Sequence, residues 1–150
     1  NMIINSNIVG IIADDLTGAN DTALQFHLKG ANTQILLSDE VEPLNVRGTQ
    51  TWAISTESRN VEPEIAYEKV VKATKMFVDK INPDFFYKKI DSTIRGNIAV
   101  EVLGMLAVLE WDASVIPAFR RVRTTVGGYH LLRGVPIERT KWRRSSFSYF

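Results

Sequence analysis

Three short segments of the 150-residue chain gather most of its polar chemistry. The first is Asp14-Asp15-Leu16-Thr17-Gly18-Ala19-Asn20-Asp21, directly after an apolar run. Two adjacent carboxylates at a strand end must point in different directions. Either both cap and solvate a helix start, or one caps the helix while the other faces a crevice, to bind a hydroxyl or take its proton. The second segment is Lys88-Lys89-Ile90-Asp91-Ser92-Thr93-Ile94-Arg95-Gly96-Asn97. It delivers two lysines, an aspartate, two hydroxyls and an arginine to a helix N-terminus. That set suits a small anion, because arginine grips a carboxylate through two parallel hydrogen bonds and helix N–H groups add to the hold. The simpler reading is a solvated loop capped by Ser92 or Thr93, but a cap needs one such side chain and several crowd this turn. The third, Ser55-Thr56-Glu57-Ser58-Arg59, also follows a strand and by itself reads better as a polar loop before a capped helix. Arg123-Thr124-Thr125 with Gly127-Gly128 offers a further basic residue and hydroxyls, yet its local sequence reads first as a turn.

Composition removes several chemistries. There is no cysteine, hence no disulfide, thiolate nucleophile or cysteine-ligated zinc. His27 and His130 are far apart and form no H-x-x-x-H pair, so no metal is expected in this chain. His27 lies in a helical pattern beside Phe26 and reads as a surface or satisfied helix residue. A net charge of +1 gives no strong field toward nucleic acid or an anionic membrane. The longest aliphatic run, Val102 to Trp111, is short of the roughly 20 residues of a membrane span. The first residues show no secretory pattern. The expected location is the cytoplasm, and the expected partner is a small molecule, with neither nucleic acid nor membrane.

In open α/β sheets the ligand crevice lies outside the carboxyl ends of the strands, so the elements around the three segments decide what they can do. Ile8 to Ala13 is continuously apolar and β-branched, as a strand buried on both faces requires. A helix follows from Thr17 to Lys29, with Gly30 placed to end it in the left-handed conformation. Gln34–Leu37 and Thr51–Ser55 read as strands, separated by a loop containing Pro43, Asn45 and Gly48. Pro63 suits a first helical turn, and Ala66, Val70, Ala73 and Phe77 recur at helical spacing through Glu62 to Lys80. Phe85–Lys88 is a strand, Ile98–Glu110 a helix and Ala113–Ile116 a strand. Phe85-Phe86-Tyr87 and the Trp111 region read as core. The repeated alternation predicts an α/β fold, a mostly parallel sheet with helices on both faces in a Rossmann-like three-layer arrangement. Residues from Thr124 to Ile137 predict a small β-hairpin near the C-terminus.

Taken in order, Ile12-Ala13-Asp14-Asp15-Leu16-Thr17-Gly18-Ala19, Ser55-Thr56-Glu57-Ser58-Arg59, Lys89-Ile90-Asp91-Ser92-Thr93-Ile94-Arg95-Gly96-Asn97, and Arg123-Thr124-Thr125 through Gly134-Val135-Pro136 resemble the N-terminal sugar-binding domain of the four-carbon acid sugar kinases. The resemblance spans Ile8 to about Thr140. It implies ATP-dependent phosphorylation of a hydroxyl on a tetronate or oxo-tetronate, with the sugar acid on this domain and ATP with Mg2+ on a C-terminal one. Under that resemblance Arg95, Lys89 and Arg59 are candidates for carboxylate and polar contacts. Asp14 or Asp15 would meet the substrate hydroxyls, one of them as catalytic base, with Thr17, Asp91, Ser92 and Asn97 in support.

Two departures from the family pattern stand out. Neither G-x-x-x-x-G-K-[ST] nor G-x-G-x-x-G occurs. Arg120-Arg121-Val122 stands where the family carries a proline and a glycine, one residue short, which weakens any role for Arg123 and Thr124. The expected organisation is a sugar-acid-binding domain over residues 1–140, a divergent tail over 141–150, and no ATP-binding domain, as if a kinase gene had been truncated by a frameshift or early stop. Such a chain is expected to bind a sugar acid and to need the missing half for phosphoryl transfer. A stand-alone ligand-binding or homodimeric interaction module is the alternative. An aspartate-nucleophile phosphatase ranks last, because those enzymes place their second aspartate two positions after the first.

Overall fold

The computed structural model describes residues 7–38 and 48–110, the backbone of three short strands between 123 and 136, and residue 139. The strand expected at Ala113–Ile116, Trp111, Arg120-Arg121-Val122 and the tail from 141 lie outside the described residues.

The first four strands are β1 (Val9–Ala13), β2 (Thr33–Leu36), β3 (Thr51–Ser55) and β4 (Phe85–Lys89), paired in the order β2-β3-β1-β4 with every pairing parallel. Helix α1 (Leu16–Leu28) follows β1, α2 (Pro63–Lys80) joins β3 to β4, and α3 (Ile98–Leu109) follows β4. Strand alternation divides the core between the two faces. Ile11 and Ala53, opposite one another in register, pack with Ala23 and Phe26 of α1. Ile12, Trp52, Ile54 and Leu36 point the other way, onto Val70, Ala73, Met76 and Phe77 of α2. Gly10 faces that second layer too, where an added Cβ would lie 2.8 Å from the Phe77 ring. Helix α3 packs on α2 at Gly104, where a Cβ would sit 3.1 Å from the Tyr67 carbonyl oxygen. The expected α/β class with helices on both faces is what the chain adopts.

Local sequence explains the ends. Asp15 caps α1 through its side chain, Pro63 occupies the first turn of α2, and Gly30 takes φ +95 after α1. The observed boundaries differ from the expected ones by a residue at several ends, within the usual fraying of helix and strand termini. In β4 the reading needs correction. Phe86 packs against the core, but Phe85 is exposed and Tyr87 half-exposed, its ring edge against Phe26, because alternation and an unpaired outer edge among the described residues leave them outside. The C-terminal region is an antiparallel three-stranded sheet, β5 (Arg123–Val126), β6 (Tyr129–Leu132) and β7 (Val135–Pro136), one strand more than a hairpin.

Candidate functional site

The chain leaves β1 toward β2 on one side and enters β4 on the other, so strand order reverses at β1 and a crevice is expected at its carboxyl end. Register brings three strand ends side by side there, Ala13 pairing with Ser55 and with Lys89. The loop after β3 folds over the end of β1: Thr56 N–H donates to the Ala13 carbonyl at 2.9 Å, and the N–H groups of Ser58 and Arg59 donate to the Asp14 carbonyl at 3.0 and 3.3 Å. That fold carries the Arg59 guanidinium to the first segment. Its Nε and Nη2 donate to Asp14 Oδ2 and Oδ1 at 2.7 and 3.0 Å, and Nη1 lies 2.5 Å from Asp15 Oδ2. Asp14 is 2% exposed; Asp15 is less buried, and its Oδ1 accepts the Gly18 N–H at 2.7 Å as the α1 cap. One aspartate caps and the other does not. The non-capping one, however, is buried and clamped.

The turn after β4 builds a second pair. Asp91 Oδ2 accepts from Thr93 N–H at 3.0 Å, from the Thr93 hydroxyl and from Arg95 Nε at 2.9 Å, while Oδ1 accepts from Arg95 Nη2 at 2.8 Å. Ile94 takes φ +61 and Gly96 φ +91 as the chain turns into α3. Gly96 passes so close to Arg59 that a Cβ would lie 3.3 Å from the arginine's Cα and carbonyl oxygen, which ties the two loops together.

Hydrogen bonding to Asp14 holds the Arg59 guanidinium above its ordinary range, against the opposing effect of burial, with Asp14, Asp15 and Asp91 adding their fields. Burial pushes the Asp91 carboxyl up, but the hydrogen bonds from Arg95 and Thr93 together outweigh it and hold it well below the usual carboxylate range. Arg95 is raised by its bonds to Asp91, and it also feels Asp14 and Arg59. The two ion pairs therefore act as one electrostatic cluster. Arg95 is its solvent-facing cation, with a side chain 43% exposed against 17% for Arg59. Lys89 lies over the first turn of α1, its Nζ 3.6 Å from where a Gly18 Cβ would sit, and it donates to the Ile90 carbonyl at 2.7 Å.

Of the residues singled out from sequence, Asp14, Asp15 and Arg59 meet directly, Asp91 and Arg95 pair beside them, and Lys89 borders the cluster. Ser92 sits half-buried in the Asp91 turn and Thr17 is exposed in the first turn of α1. Asn97 faces inward, its Nδ2 donating to the Ser58 and Val61 carbonyls at 2.9 and 2.8 Å, so it braces the β3–α2 loop. Arg123 and Thr124 begin β5, where the backbone alone is described. Sequence reasoning named Lys88, Thr56 and Ser58 within the polar segments without assigning them a site role, and passed over Glu101. Ser58 Oγ donates to Glu101 Oε1 at 2.7 Å and meets Thr56 Oγ1 at 2.7 Å. Lys88 Nζ stands 2.7 Å from Glu101 Oε2, an ion pair without the angle of a directed hydrogen bond. The available signal was a lone carboxylate in the first turn of the otherwise apolar helix Ile98–Leu109.

Chemically, the cluster gathers cations and hydroxyls at the strand ends, with its carboxylates already engaged by arginine. Among the described residues no group of three or more metal-ligating side chains occurs, and Asp14, Asp15 and Asp91 are each committed to a guanidinium, so this donor set does not fit a Mg2+–nucleotide.

Residues 9–148 match the model of the sugar-binding N-terminal domain family. The chain is 45% identical over 139 residues to D-erythronate kinase of Heliobacterium modesticaldum, covering 90% of this chain and 31% of that protein. It is 38% identical over 134 residues to D-threonate kinase of Salmonella typhimurium, covering 88% and 31%. A Bordetella bronchiseptica protein with a domain of unknown function, crystallised with bound citrate as a domain-swapped dimer, superposes with a TM-score of 0.80 at 33% identity, over 88% of this chain and 34% of that one. The chain thus spans about a third of the length of the relatives it matches.

Proposed function

The chain belongs to the family of sugar-binding N-terminal domains, and on that premise we propose that it binds a four-carbon sugar acid, a tetronate or oxo-tetronate, as the substrate half of an ATP-dependent kinase. One observation carries the reading: three strand ends at the reversal of strand order carry one cluster of charged side chains, in which Arg59 pairs with Asp14 and Asp15, Arg95 pairs with Asp91, and Lys89 lies over the first turn of α1. A short polyhydroxy carboxylate needs a cation for its carboxylate and hydrogen-bonding groups for its hydroxyls. Arg95, the exposed cation, is assigned first contact with the ligand carboxylate, and Lys89 and Ser92 polar contacts beside it. Asp15 is assigned the hydroxyl, being the more accessible of the adjacent carboxylates and fixed in place by its cap bond. Asp14, buried and doubly bonded, is assigned to holding Arg59. The citrate found with the Bordetella protein is itself a hydroxylated carboxylate, which supports this class of ligand.

Phosphoryl transfer is assigned to the combination of this domain with a nucleotide-binding one, since the donor set above does not fit Mg2+–ATP. Titration calorimetry of the chain with D-erythronate, D-threonate and their oxo forms tests the binding claim, with Mg2+–ATP titrated in parallel. Heat with one or more sugar acids is expected. Silence with all of them counts against the reading, and ATP-dependent turnover by this chain alone refutes the division of labour.

A further inference from the structure

We propose that the buried Lys88–Glu101 pair is a positioning device for Arg59, acting through Ser58. Glu101 is 1% exposed, and its two oxygens serve different elements: Oε2 pairs with Lys88 on β4, Oε1 accepts the Ser58 hydroxyl from the loop after β3. Ser58 is wholly buried and is the residue immediately before Arg59. Its N–H and that of Arg59 both donate to the Asp14 carbonyl, and its own carbonyl accepts from Asn97, the residue before α3. Ser58 is therefore held at hydroxyl, N–H and carbonyl, and α3 with its N-cap supplies two of those three holds.

Proton counting agrees. Thr56 and Ser58 have two hydroxyl protons for three contacts, to Ala13 O, to each other and to Glu101. The charged acceptor takes the Ser58 proton, since bonds to an ionised acceptor are the stronger ones. The single Thr56 hydroxyl proton is then shared between the Ala13 carbonyl at 2.9 Å and Ser58 Oγ at 2.7 Å, so Ser58 accepts from Thr56 while it donates to Glu101. A buried ion pair is weak evidence of stabilisation, because apolar residues of the same size often serve as well or better. What an apolar pair cannot do is accept the Ser58 hydroxyl. The pair thus serves geometry, and the loop it fixes is the one that delivers Arg59 to Asp14 and Asp15.

Stability and geometry can be separated. In K88M/E101M, made in the 150-residue chain, a cooperative thermal melt should persist, while the Arg59 Nε–Hε resonance, identified by its loss in R59K, should broaden and exchange faster with solvent. Unchanged Arg59 resonance and exchange in a folded double variant would overturn the proposal. Should that variant fail to fold, Ser58→Ala carries the same readout with the charge pair intact: a loosened Arg59 supports the role and an unaltered one refutes it. The functional arm rests on the sugar-acid reading. D-Erythronate should bind the variant about tenfold more weakly, a change of about 1.4 kcal/mol in binding free energy. No heat with the parent chain sinks that reading and leaves the resonance decisive for positioning; equal affinity in parent and variant sinks the positioning role.

Discussion

Arg59→Ala removes the group that joins the first and third polar segments. The larger loss is at Asp14, which is 2% exposed and receives both Nε and Nη2. Breaking a buried pair from one side costs about 3–5 kcal/mol, because the remaining charge is uncompensated. Arg59 is 17% exposed and its truncation admits water to Asp14, which argues for the lower end, about 3 kcal/mol. The contact with Asp15 is with a partly exposed carboxylate and adds under about 1 kcal/mol. For a domain of this length each kcal/mol is worth roughly 2–4 °C, so thermal unfolding at neutral pH should fall by about 6–12 °C. Neutralising the stranded carboxylate should recover most of this: Asp14→Asn/Arg59→Ala should melt above Arg59→Ala, with a coupling energy of about 2 kcal/mol in a double-mutant cycle. An Arg59→Ala melting point indistinguishable from the parent's, or a double variant no better than the single, would show that the clamp does not hold the strand ends.

Substitutions at three other positions probe neighbouring contacts. Gly96→Ala places a Cβ at φ +91 and 3.3 Å from the Arg59 backbone, so it should cost about 1–2 kcal/mol and weaken D-erythronate binding as well; a neutral result in calorimetry and melting would dissociate the two loops. Asp91, held below the ordinary carboxylate range in the folded state, binds fewer protons there than in the unfolded chain. Its contribution is full above the unfolded value of about 4 and is lost as pH falls below it toward the folded value. The parent should therefore lose stability more steeply than Asp91→Asn between about pH 4 and pH 2, as followed by denaturant titrations; parallel curves would contradict the assignment. Asp15→Ala should lose about 1 kcal/mol with its helix cap, whereas Asp15→Asn, a good capping residue, should lose less, as read by thermal melts.

The elements were readable because their signals are local. The apolar run at β1, the helical spacing of Ala66, Val70, Ala73 and Phe77, and the caps at Asp15 and Pro63 each depend on a few neighbouring residues. The polar segments at strand ends were readable for the same reason. What local grammar could not weigh was Ser55 to Arg59, which alone resembles any polar loop. Its importance comes from register, which sets Ser55 beside Ala13 and lets Arg59 reach back 45 residues to Asp14. Glu101 was hidden similarly: it interrupts an apolar helix, and only the packing of α3 beside β4 shows that it has Lys88 and Ser58 waiting for it. The Phe85-Phe86-Tyr87 reading failed because β4 is the outer strand of the sheet among the described residues: Phe86 reaches the α2 side, while Phe85 and Tyr87, on the other face, are left exposed.

The central claim is that a sugar acid binds where the ends of β1, β3 and β4 converge. The most direct test is a titration of the isotopically labelled chain with D-erythronate, followed by backbone amide shifts. Saturable changes concentrated in residues 14–18, 56–60 and 89–97 are the predicted result. Saturable changes confined to other parts of the chain, or none at millimolar ligand, would contradict it.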